Sequence, residues 1–139
     1  MAKECTTFEH TADVGLEARA DTFAELLEAL GEGLADLVAP RRQVRPEETR
    51  ELSVTSDDAE SLVVDFLNEL AGILEADRFL ISQVRVRSAS QKSLEAELAG
   101  EPFDARRHEY ETEVKAATYH DIRVAQEHDG WHGRVILDI

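Results

Sequence analysis

The sequence predicts one α+β domain over residues 1–139, two layers deep, with a mixed or antiparallel sheet and two long helices on one face. Three observations predict it. Two leucine-rich segments repeat their apolar residues at helical spacing. Six or seven short segments read as strands and cluster in the second half. A 42% apolar content supplies one core at this length without a disulfide staple.

Residues 5–9 and 14–20 read as strands, with Leu16, Ala18 and Ala20 alternating with Glu17 and Arg19. Between them FEHTADVG, residues 8–15, holds His10 and Asp13 around a polar turn. An Asp there bonds nearby backbone N–H groups, as Asp does in turns, or offers its carboxylate from a strand end to solvent or a metal. Thr22 is an N-cap with Glu25 three residues on, the pattern of a capping box. Phe23, Leu26, Leu27, Leu30, Leu34, Leu37 and Val38 form the helical stripe. Gly31 and Gly33 weaken this helix by roughly 1 kcal/mol each relative to Ala, and either admits close approach of another element. Pro40 ends it.

Arg41, Arg42 and Arg45 make the densest basic patch, in a polar loop between two prolines. A solvated loop is the plain reading and docking the alternative. Leu52 and Val54 mark a short strand. Asp57, with Glu60, caps a second helix whose stripe is Leu62, Val63, Phe66, Leu67, Leu70, Ile73 and Leu74; Asn68 and Glu69 fall on its solvated side. Phe79–Arg87 and Leu94–Leu98 read as strands, and a phase shift predicts a bulge near Ser82-Gln83. Residues 100–113 are polar and irregular. Thr118, Tyr119 and His120 open a strand that Ile122 and Val124 mark, Asp129-Gly130 turns, and Trp131–Ile139 is the last strand.

The net charge of −15, from 15 basic and 30 acidic residues, repels phosphate backbones and disfavours direct non-specific nucleic-acid binding. It favours divalent cations and basic protein surfaces; a high-salt habitat or a GC-rich genome is the plainer source of most of it. The single cysteine, Cys5, forms no internal disulfide and reads as a packed thiol. No apolar run has the length of a signal peptide core or a membrane span, so a soluble, cytoplasmic protein is expected.

The chain ends Val135-Ile136-Leu137-Asp138-Ile139. If this strand lies beside the one that carries Asp13, then Asp13, Asp138 and the terminal carboxylate of Ile139 converge as oxygen donors for a hard divalent ion. Lys115, with Thr118 and Tyr119, offers a charge and hydroxyls to a phosphate; alternatively Tyr119 is a core aromatic and Lys115 a surface residue. His10 and His120 are neighbouring ligand candidates without a paired metal-ligand spacing. His108, His128 and His132 read as loop or surface residues. No nucleotide-binding glycine loop, nucleophile elbow or zinc set is present, so no catalytic residue is assigned.

Together, HTADVGL at 10–16, the helix from Thr22, SLVVDFLNELAGIL at 61–74, EPFDARRHEYETEVKAATYH at 101–120 and the terminal GWHGRVILDI resemble the archease family. Ala20-Asp21 departs from the glycine that family often carries before the first helix. The resemblance implies an accessory protein rather than a stand-alone enzyme, one that assists an RtcB-type tRNA-splicing RNA ligase. Such a ligase joins RNA 3′-phosphate or 2′,3′-cyclic phosphate ends to 5′-hydroxyl ends through a guanylate on its own histidine, using GTP and a divalent metal. The implied role is to promote guanylylation and multiple turnover, with broader nucleotide choice. The implied metal site is Asp13, Asp138 and Ile139, for Ca²⁺ or for Mg²⁺ or Mn²⁺, and Lys115 is implied in activation. The runner-up is a general chaperone or modulator of RNA-processing proteins such as tRNA methyltransferases. A metal-dependent phosphoesterase at Asp13 and Asp138 is a third reading, weakened by the lack of a positioned base or nucleophile.

Overall fold

The computed structural model describes residues 3–10 and 13–139, with the backbone alone for residues 9 and 10. The elements run β1 (Glu4–His10), β2 (Asp13–Ala20), α1 (Phe23–Val38), a short 3₁₀ turn (Arg41–Gln43), β3 (Glu48–Thr55), α2 (Ala59–Glu75), β4 (Phe79–Ala89), β5 (Ser93–Pro102), β6 (Ala116–Ala117), β7 (Arg123–Glu127) and β8 (Gly130–Asp138). The class is α+β and every pairing is antiparallel. The strands divide into two sheets, β1-β2-β8-β6 with β7 also on β8, and β3-β5-β4. The division has a visible cause at the outer edge of β4. Glu32 accepts the Val84 N–H at 3.0 Å and Glu28 the Val86 N–H at 2.8 Å, while Arg41 donates to the Ser82 carbonyl at 2.9 Å. Side chains of α1 and its following turn thus occupy edge groups that a further strand would need.

Both helices sit on the inner side of the strands and pack on each other. Thr22 caps α1 as expected, its hydroxyl accepting the Glu25 N–H at 3.1 Å. The cap of α2 is Asp58 rather than Asp57: its carboxylate takes the Ser61 N–H at 2.7 Å. Leu16, Ala18 and Ala20 of β2 and Val135 and Leu137 of β8 are buried under the stripe of α1. The α1 glycines earn their place by contact. A Cβ on Gly31 would lie 3.0 Å from Leu70 and 3.2 Å from Phe66 of α2, and one on Gly33 would lie 2.5 Å from the Cys5 sulfur.

The bulge near Ser82 is present, between Ile81 and Gln83, and a second shift lies between Val86 and Ser88. The final hairpin turns one residue earlier than its Asp-Gly signal: Glu127 pairs with Gly130, leaving His128-Asp129 as the loop, and Gly130 takes φ +132°. Two further readings change. The segment after Lys115 is the two-residue strand β6, and Thr118–Asp121 is a turn rather than a strand start. Among the described residues no helix is long and apolar enough to cross a membrane.

Candidate functional site

Strand register assembles the site. Asp13 is the direct partner of Asp138 across β2 and β8, and His10 is the backbone partner of Asp13 across β1 and β2. Ala116 of β6 is the partner of Asp138 on its other side. One transverse row of the sheet therefore reads His10, Asp13, Asp138, Ala116. Residues opposed in this way share a face, with Cβ atoms roughly 5 Å apart. That face is turned away from α1, because the alternate set, Leu16 with Val135 and Gly133, meets the helix. The side chain of His10 and residues 11 and 12 lie outside the described residues.

The neighbouring row makes the platform under this site. Phe8, Gly15 and Ile136 are partners in register, and the Phe8 ring lies where a Cβ on Gly15 would stand, 1.9 Å away. The guanidinium of Arg134 covers that ring at 4.2 Å. Ile136 is buried, although it faces away from the helices. In the next row Glu17 takes His132 at 2.9 Å and Arg134 at 3.6 Å. His132 accepts from Arg123 at 3.3 Å through its other ring nitrogen, so Nε2 carries the proton towards Glu17. His132 is buried and so is His108, which corrects the surface reading of both; His128 is exposed as expected.

Asp138 and Ile139 are exposed and Asp13 is half-buried. Two carboxylates at directly opposed positions repel, a cost that a cation between them relieves. With a terminal carboxylate added, the donor set is all oxygen and suits a hard divalent ion. Among the described residues no group of three or more His, Cys, Asp and Glu side chains is arranged to hold an ion.

Lys115 is joined to this site through its backbone. Its N–H donates to the Asp138 carbonyl at 2.8 Å. Ala116 stands on the carboxylate face as the partner of Asp138, and Lys115, exposed and just outside β6, lines a groove beside α2. His120 stands in the turn beyond, 3.4 Å from Asp121, next to the part of the turn that Thr118 fixes to the Ile136 carbonyl. Tyr119 is 56% exposed, so it is not a core aromatic.

Three supports of the lysine strand were not legible in the sequence. Asn68 takes both backbone groups of Ala117, accepting its N–H at 2.7 Å and donating to its carbonyl at 3.4 Å; it closes the outer edge of β6 rather than simply facing solvent. Glu75, one helical stretch on, accepts the Val114 N–H at 3.3 Å. Glu101, 2% exposed, anchors the irregular stretch from Phe103 that leads into Lys115. Its carboxylate takes the Arg45 N–H at 2.7 Å, His108 Nε2 at 3.0 Å and the Arg107 guanidinium. His108 Nδ1 accepts the Asp104 N–H at 2.9 Å, which again leaves the proton on Nε2. Burial pushes the Glu101 carboxyl up, but Arg107, the Arg45 N–H and His108 outweigh it and hold the group at about 2. The arginine loop is thus partly structural: Arg41 pairs with Glu32 and Asp36, and the Arg45 backbone with Glu101. Burial pushes the Cys5 thiol up to about 12, as a packed thiol should be.

The sequence profile of the Archease protein family (MTH1598/TM1083) matches residues 6–139. The chain is 38% identical over 136 residues to the protein archease of Thermococcus gammatolerans, covering 95% of this chain and 96% of that one. It is 33% identical to the protein archease of Methanosarcina acetivorans, over 100% of this chain and 98% of that one. Among solved structures, the solution structure of Methanobacterium thermoautotrophicum protein 1598 superposes with TM-score 0.78 at 29% identity, covering 99% of each chain. A Thermotoga maritima crystal structure, described as an archease and possible chaperone, gives TM-score 0.65 at 24% identity over 96% of each chain and supports the fold. With a family match over nearly its whole length, this chain belongs to the archease family.

Proposed function

We propose that this chain is an accessory protein that activates an RtcB-type RNA ligase, promoting guanylylation and repeated turnover, and that it is not a stand-alone enzyme. The observation that carries the reading is the direct opposition of Asp13 and Asp138, with the backbone of Lys115 bonded to Asp138. Those residues are the ones the family resemblance marks. Asp13, Asp138 and the carboxylate of Ile139 would hold a divalent ion, Ca²⁺ or else Mg²⁺ or Mn²⁺, with His10 beside them in the row. When bound, the ion supplies a positive charge that a phosphate oxygen can share. The residues of the chain do the positioning. Two long strands hold the carboxylates on a fixed register, and the Phe8–Gly15–Ile136 platform keeps that end of the sheet packed. Lys115 adds a positive charge beside the carboxylate pair, joined to it through the backbone of Asp138.

Guanylylation tests the reading. Purified RtcB-type ligase is incubated with GTP and metal, with and without this chain, and the guanylated ligase is counted. Faster formation with the chain present is expected; an unchanged rate with an active ligase refutes it. The alternative, a chaperone of RNA-processing proteins such as tRNA methyltransferases, draws on the description of the Thermotoga maritima relative as a possible chaperone. It predicts protection of such an enzyme from aggregation with no effect on guanylylation.

A further inference from the structure

Seven glycines occur in the chain, and six of them have a reason inside the molecule. A Cβ on Gly15, Gly31, Gly33, Gly100, Gly130 or Gly133 would stand within 3.2 Å of another atom. Gly72 differs: it is exposed in the last turns of α2, and a Cβ there would meet nothing within 4 Å. A glycine in a helix interior costs about 1 kcal/mol relative to alanine. Nothing among the described residues accounts for that cost.

Gly72 forms part of a groove of about 410 Å³ between α2 and the segment that enters β6. Asn68, Glu75, Glu113 and Lys115 are among the residues around it. Asn68 and Glu75 are tied to the backbone of Ala117 and Val114, so this wall is fixed. Glu113 is exposed. The groove therefore has a floor without a side chain, two carboxylates on its walls and Lys115 at its rim. A floor of this kind admits the backbone of another chain at close range. Its carboxylates, in a molecule of net charge −15, select a basic segment.

We propose that this groove is a docking site for an extended, lysine- or arginine-bearing segment of the protein partner, with the segment's backbone over Gly72 and its cation between Glu75 and Glu113. The inference rests on the ligase-activator reading and names the surface through which the partner is held. It also gives Lys115 a place: the lysine marks the end of the docked segment nearest the carboxylate pair.

The test measures binding of purified RtcB-type ligase to wild type, Gly72→Leu, Gly72→Ala and Glu113→Lys, by titration calorimetry at low and moderate salt. At Gly72 a Cβ meets open space and leucine favours the helix over glycine, so the variant should melt no lower than wild type. The expected result is a loss of roughly tenfold or more in affinity for Gly72→Leu. Gly72→Ala should show a smaller loss. Glu113→Lys should bind more weakly at low salt and with a flatter salt dependence. Equal affinity of wild type and Gly72→Leu overturns the docking site and leaves the activator reading standing. No binding by folded wild type overturns both.

Discussion

The anchor at Glu101 yields the most quantitative prediction. In Glu101→Gln the side chain keeps its shape and loses its charge. One carboxylate oxygen now takes both the Arg45 N–H and His108 Nε2, and the other takes Arg107. An amide has one acceptor oxygen and a donor NH₂. In either orientation, the NH₂ is set against N–H donors, with the site 2% exposed. Charged hydrogen bonds in such a site are worth roughly 1.5–3 kcal/mol each, and removing one partner of a buried pair costs roughly 3–5 kcal/mol. Arg107 keeps some access to water, so about 3 kcal/mol is expected at pH 7. For a chain of this size that is roughly a 12 °C fall in Tm.

The pH dependence gives a second signature of the same variant. The native carboxyl sits at about 2, below its ordinary 4.5. A depressed acid stabilises the fold fully above its unfolded value and loses that contribution as pH falls through the native one. The gap between wild type and Glu101→Gln in urea unfolding should therefore be constant from pH 7 to pH 5. It should shrink below about 4.5 and be mostly gone near pH 2. A gap under about 1 kcal/mol at pH 7, or one that persists undiminished at pH 2, refutes the reasoning.

Three further predictions follow from single observations. Alanine at Gly33 should lower stability by roughly 1–2 kcal/mol because its Cβ would stand 2.5 Å from the Cys5 sulfur, whereas alanine at Gly72 should raise it by roughly 0.5–1 kcal/mol; thermal melts of the pair compare them directly. Cys5, pushed up to about 12 by burial, should react with a thiol reagent at pH 8 at least roughly tenfold more slowly in the folded than in the urea-unfolded protein, and similar rates would contradict its packing. Asp13→Asn removes one of two opposed carboxylates and should weaken calcium affinity by roughly tenfold or more in a calorimetric titration, and unchanged affinity would contradict the carboxylate pair as a cation site.

Periodicity carried the fold because most of the elements are long and amphipathic. The leucine stripes of α1 and α2 and the alternation of β2, β4 and β5 name their own buried faces. Short elements carry no such signal. Ala116-Ala117 becomes a strand only through partners far along the chain, Asp138 and Leu137 on one edge and Asn68 on the other. The division into two sheets depends on Glu28 and Glu32 reaching a strand 52 or more residues later, which no local pattern encodes. Within the site, the alignment of Asp13 with Asp138 was readable as an expectation because both sit at ends of apolar strand patterns. The position of Lys115, just outside β6 and beside the α2 groove, was not, because β6 is only two residues long. His108 and His132 looked like surface residues because histidine burial here is fixed by single carboxylate partners, Glu101 and Glu17.

The most direct test of the account is multiple-turnover ligation by a cognate RtcB-type ligase with GTP and metal, in the presence of sub-stoichiometric wild type or Asp138→Ala. Both proteins should be folded, with matching Tm. The account predicts that wild type raises turnover and that Asp138→Ala does not. Equal stimulation by the two would contradict the carboxylate pair as the working site, and no stimulation by either, with an active ligase, would contradict the activator role itself.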